Sequence, residues 1–198
     1  MNTRTKKITA AAALLAICII SQFFKNFSVY ITGPIINACL ILAVLTCGLF
    51  WGAALAIITP VTAFLITGAP IMKVVPAIMP LVMAGNLVLV IVVWLIAGRK
   101  KGNSASRFNV KIGEKRTVTL DVLLGGIIGS VAKGAFMALT ISYGVLSVVT
   151  LPEAMQAKLP ILRTTYSVTQ LFTALIGTAY ACVIWAALKK AFTDISDK

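Results

Sequence analysis

The chain has 198 residues, 60% of them hydrophobic and 12% charged, with no histidine, and a mean hydropathy of +1.01. That composition excludes a soluble domain and assigns the chain to a lipid bilayer. Lys and Arg number 18 against 5 Asp and Glu, for a net charge of +13, but the charges lie between apolar runs rather than on one polar face, so no nucleic-acid partner is expected. Without histidine, with cysteines scattered at 18, 39, 47 and 182, and with acidic residues only at Glu114, Asp121, Glu153, Asp194 and Asp197, most metal sites and most catalytic dyads cannot be built. The expectation is no enzyme, no metal and no cofactor.

A spanning helix needs roughly 20 apolar residues to cross about 30 Å of hydrocarbon. Six segments qualify: 8–24, 35–50, 52–67, 76–98, 120–149 and 160–188. The reading is therefore an all-α integral membrane protein, a single membrane domain over 1–198 with six transmembrane helices and one cytoplasmic loop over 99–119. The first segment follows Arg4, Lys6 and Lys7; it reads as a span rather than a cleavable leader, because equally apolar segments follow it. Segments two and three are short and abut at Gly48, Trp51 and Gly52, and Pro60 should kink or break the third.

Charge sets the expected orientation. Arg4, Lys6 and Lys7, then Arg99, Lys100, Lys101, Arg107, Lys111, Lys115 and Arg116, then Lys189, Lys190 and Lys198 fall on one side; Lys25, Lys73, Lys158 and Arg163 fall on the other. The positive-inside rule then puts both termini in the cytoplasm. The cysteines, all within spans and without CxxC spacing, read as small core residues.

Within the spans, Lys133 stands out, about 20 Å along helix five. A lysine there costs on the order of 3 kcal/mol, so it should face a partner or a wet cavity. Gly125, Gly129 and Lys133 form one helical row beside Gly126, Ser130, Gly134 and Ala138, and small rows let neighbouring helices approach closely. Asn86, about 14 Å down helix four, and Tyr166 and Gln170, about 7 and 13 Å down helix six, reach a similar level. Tyr166, Gln170, Thr173 and Gly177 share one helical face. Any one of these residues alone reads as an interhelical hydrogen bond, while the convergence of four at one depth points to a pocket; in the pocket reading, Lys133→Met should leave melting temperature unchanged or raised.

Two related segments, Ile31-Thr-Gly-Pro-Ile and Ile66-Thr-Gly-Ala-Pro-Ile, read as lids over the outer mouth. Helix one carries Ala12-x-x-x-Ala16, which permits close helix contact within the protein or with another subunit. No GxxxxGK[ST] is present, so the chain brings no ATP motor of its own.

With its basic start, Ala-rich helix one with Ala12-x-x-x-Ala16, short helices two and three and the stretch "ITGPIINACLIL", the chain resembles the substrate-binding S components of energy-coupling factor (ECF) vitamin transporters. The resemblance covers almost the whole chain. It implies a multi-pass protein of the cell membrane that captures a vitamin or vitamin precursor on the outer face. The pocket is implied between the first and third outer loops and helices four to six, with Lys133, Asn86, Tyr166, Gln170, Asn37 and Arg163 as its residues. It also implies that Ala12 and Ala16 contact a transmembrane scaffold subunit driven by two ATPases. Lys133, with Lys73 and Arg163 near the mouth, favours an anionic solute such as a pantothenate-like acid, although Lys133 is equally able to bond a neutral carbonyl. A self-contained small-solute carrier or channel, or a structural membrane subunit, is the alternative.

Overall fold

The computed structural model describes residues 3–24, 28–98, 109–111 and 117–196, with side chains over 4–24, 28–98 and 120–188. Among the described residues six helices are long and apolar enough to span a bilayer, and the protein is an all-α multi-pass membrane protein. The elements are α1 (Thr3–Phe23), α2 (Val29–Cys47), α3 (Leu49–Thr67), α4 (Pro70–Val74) and α5 (Ile78–Val93), the last extended by a π-helical turn Trp94–Gly98. A short antiparallel hairpin follows, β1 (Asn109–Lys111) with β2 (Thr117–Thr119), in which Val110 opposes Val118. Next come α6 (Leu120–Met137), a π-helical segment Ala138–Val145, α7 (Leu146–Val148), α8 (Glu153–Gln156), α9 (Leu159–Thr165) and α10 (Val168–Ser196). Alternating crossings leave the hairpin, the start of α1 and the end of α10 on one face and α4, α8 and α9 on the other, here termed the lid face.

Helix α2 is apolar all round, as a helix enclosed by others should be, and Asn37 through Leu45 are buried without a break. It packs against α1, α3, α5 and α10, while α6 joins α5 to α10. Large apolar side chains such as Phe50, Leu65, Leu139 and Val183 point outward, the surface a spanning bundle presents to lipid.

Several expectations need correction. The second helix starts at Val29, so Ile31–Ile35 is helix rather than lid; the Ser28 hydroxyl caps it by accepting from Tyr30 N at 3.2 Å. The second related segment does form a break: Gly68, at φ 59, ends α3, and Pro70 opens α4. Helices α2 and α3 have 19 residues each and are not short; Gly48, at φ 98, turns directly between them. Pro60 does not break α3, which runs from Leu49 to Thr67. The connection over 99–119 contains a hairpin where only a loop is expected. Lys25, Arg99 to Arg107, Lys115, Arg116 and Lys198 lie outside the described residues, as do the side chains of Lys111, Lys189 and Lys190, and with them most of the charge pattern.

The α6 glycines face two helices. A Cβ on Gly129 would lie 2.9 Å from Leu89 Cδ1 on α5, and one on Gly126 would run into the Thr178 side chain on α10. On α10, a Cβ at Gly177 would meet Pro34 O and Asn37 Cβ, each at 2.7 Å. Gly126→Val and Gly177→Val should therefore each cost about 1 to 3 kcal/mol by overpacking. Thermal unfolding of the purified protein checks this; unchanged melting would mean the helix pairs are not in close contact.

Candidate functional site

Lys133, only 3% exposed, lies about 20 Å from the start of α6. Asn37 and Asn86 lie about 12 Å below the lid-face ends of α2 and α5, so the three share one level in the bundle. The Lys133 ammonium donates to Asn37 Oδ1 at 2.7 Å and to Asn86 Oδ1 at 2.8 Å. Because lysine only donates, both amide oxygens must face it and both amide nitrogens must turn away. Asn37 Nδ2 donates back to Gly33 O at 2.9 Å, and Asn86 Nδ2 reaches Ala56 O on α3 at 3.4 Å.

The last contact explains how α3 tolerates Pro60. In an α-helix, Ala56 O would accept from the N–H of residue 60, and proline has none. Asn86 supplies the missing donor from α5. One ammonium group thus links α2 and α5 to α6 directly, and α3 through Asn86. Its partners are neutral amides; Asp121, on the same helix, lies more than three turns away. The two amide oxygens point their negative ends at the Lys133 nitrogen, an arrangement that solvates an ammonium group without a counter-ion.

The other expected site residues lie elsewhere in the network, and no hydrogen bond joins them to Lys133 among the described residues. Tyr166 falls at the break between α9 and α10, not on the α10 ladder, and is buried in a cluster with Met137 and Ile141. Gln170 Nε2 donates to Thr165 O at 3.4 Å. Arg163 donates from a terminal guanidinium nitrogen to Ser147 Oγ at 3.0 Å, and its Nε is buried without a partner. Thr173 and Gly177 of the expected polar stripe pack against Gly33 and Asn37 of α2, so their role is close helix contact.

At the lid face a cleft of about 540 Å³ opens between the start of α2, at Ser28, Val29 and Tyr30, and α9, at Pro160, Ile161, Thr164 and Thr165, with Thr169 at its edge. Thr169 precedes Thr173 by one turn, so the cleft stands above the α2–α10 seam that closes at Gly33 and leads down to Asn37. Arg163 is not among its lining residues.

A second polar cluster went unread in the sequence: Ser21 and Gln22 on α1, Thr32 on α2 and Thr59 on α3, all buried. The available signal was a glutamine at the end of an apolar helix and a Thr-Pro pair inside another. Cys18, Cys39 and Cys47 are buried free thiols, and no group of three metal-ligating side chains occurs among the described residues.

Residues 6–189 match the family model described as ECF transporter, substrate-specific component. No curated protein and no solved structure matches the chain.

The network revises the expected effect of removing the charge. Lys133→Met leaves Asn37 Oδ1 and Asn86 Oδ1 facing an apolar side chain, and an orphaned buried acceptor costs about 1 to 3 kcal/mol. Melting temperature should fall. Adding Asn37→Leu and Asn86→Leu should recover part of the loss, because replacing a whole buried polar group is far cheaper than breaking it, but not all, because Ala56 O then loses its donor. Melting curves of the single and triple variants decide it; an unchanged single variant would mean the network contributes no net stability.

Proposed function

The chain belongs to the family of ECF transporter substrate-specific components, membrane-embedded substrate-binding subunits that work with an ECF module and are not enzymes, and from that premise we propose that it captures a water-soluble vitamin or vitamin precursor from the outer face of the cell membrane. The match over residues 6–189 carries the reading. The orientation rests on the basic residues at both ends and in the 99–119 connection; it makes the lid face the outer face.

The solute we infer is anionic. Lys133 is a buried cation held by neutral oxygens, and a carboxylate is a stronger partner for an ammonium than an amide carbonyl is. Capture starts in the cleft between the start of α2 and α9. It proceeds as the α2–α10 seam parts at Gly33 and Thr173, and ends with a carboxylate replacing one or both asparagine oxygens on Lys133. Asn37 and Asn86 then bond the bound molecule with the groups this exchange releases. Tyr166, Gln170 and Arg163 stay near the lid face, outside the lining of that cleft, and act on capture only by holding α9 and the start of α10 in place.

Coupling uses a different surface. Ala12 and Ala16 are exposed on α1, while Ala11 and Cys18 turn into the bundle. The small row is free for a scaffold helix of the ECF module, which two ATPases drive.

Four measurements test these statements. A cysteine replacing Glu153 should react with impermeant reagent in intact cells, and one replacing Ser104 should not; labelling at 104 overturns the orientation. Ala12→Leu with Ala16→Leu should abolish uptake and co-purification with the ATPases while solute binding stays within a few fold; equal loss of both would assign the row to the bundle's own packing. Mass spectrometry of the solute retained on purification should find an acid. The triple Lys133→Met, Asn37→Leu, Asn86→Leu chain, if folded, should bind that acid roughly 30-fold or more weakly. Equal retention by that variant would remove Lys133 from recognition.

A further inference from the structure

Gln22, on the last turn of α1, is fully enclosed, and Thr59, on α3, is 1% exposed. Gln22 Nε2 donates to Thr59 O at 3.0 Å. That bond fixes the amide, since a carbonyl accepts only from the nitrogen, and it leaves Gln22 Oε1 without a partner; Thr59 Oγ1 is also without one. Two orphaned oxygens thus sit on residues joined by a hydrogen bond, in the seam where α1, α2 and α3 meet. Thr32 closes the same region from α2, but its hydroxyl is engaged with Ser21 O at 3.2 Å and Ser28 O at 3.3 Å.

The Thr59 hydroxyl is unusual in its surroundings. Thr46, Thr140 and Thr178 each donate to the carbonyl four residues back in their own helix, at 2.7, 2.7 and 2.9 Å. Thr59 does not use that escape. A buried polar group without a partner forfeits its hydration, and two in one seam mark a position where a polar occupant is needed. Gln22 Oε1 is an obligate acceptor and Thr59 Oγ1 is an acceptor or donor, so the occupant must present a donor. Among the described residues the side chains of this cluster are all neutral: Ser21, Gln22, Thr32 and Thr59.

We infer that Gln22 Oε1 and Thr59 Oγ1 form a binding site for a small neutral hydrogen-bond donor, an O–H or N–H, separate from the Lys133 ammonium. The donor comes from a trapped water or from a hydroxyl or amide of the captured solute; the second source rests on the proposed function above. With a solute in place, the two polar sites read different groups: an acid at Lys133, and a neutral donor between α1 and α3.

Thr59→Val deletes only the hydroxyl at nearly constant shape, and Gln22→Met removes the amide. Both are compared, singly and together, in the purified full chain by thermal unfolding after solute-free dialysis, and by binding of two probe acids: pantothenate, with hydroxyl and amide donors, and heptanoate, with none beyond its carboxyl. Water is the occupant if Thr59→Val lowers the melting temperature of the dialysed chain by several degrees and the effect shrinks by half or more in the Gln22→Met background, because groups bridged by one occupant are not additive. The solute is the source if the dialysed chain melts unchanged but Thr59→Val weakens pantothenate binding at least tenfold and leaves heptanoate unaffected. The proposal is overturned if Thr59→Val leaves melting unchanged or raised and both acids bind as they do to the parent. If the parent binds neither acid, melting alone decides the donor site, and the anionic solute of the proposed function loses support without bearing on Gln22 and Thr59.

Discussion

A single ammonium group deep in the bundle sets the terms for the helices around it. Lys133 cannot be left bare in hydrocarbon, so two neighbouring helices must each deliver an oxygen to it, at 2.7 and 2.8 Å. Each asparagine that does so must then place its own nitrogen, and those nitrogens go to backbone carbonyls on α2 and α3. The pairing is consistent from end to end. The proline in α3 removes a donor, and the asparagine in α5 carries a spare one to that very carbonyl.

Such an arrangement requires the backbones to come close, and the glycine rows make that possible. Gly129 admits Leu89 of α5, Gly126 admits Thr178 of α10, and Gly177 admits Asn37 of α2. These contacts do not need any hydrophobic force between helices, which lipid would not supply; they rest on packing and interhelical polar bonds. The polar centre and the small rows are therefore one design: the rows bring the helices within reach, and the ammonium sets which residues meet.

The proposed function assigns capture and coupling to different surfaces of the same fold. The polar residues point into the bundle, whereas Ala12 and Ala16 look outward from α1. Helix α1 touches both, since its last turn carries Gln22 into the interior seam with α3.

Composition and hydropathy were enough to read a six-helix membrane bundle, because crossing about 30 Å of hydrocarbon demands a length and apolarity that few other structures share. Depth was legible as well: counting residues at 1.5 Å each put Lys133 and Asn86 at one level. The direction a side chain takes around its helix was not. Tyr166 and Gln170 looked like one ladder until the break between α9 and α10 separated them, and Gln22 and Thr59 gave no local sign of meeting, being 37 residues apart. Pro60 illustrates the limit best. Its missing N–H is a property of the residue and predicts a kink, but whether the freed carbonyl finds a donor depends on Asn86, a residue on another helix. Only the packed bundle brings that asparagine to it.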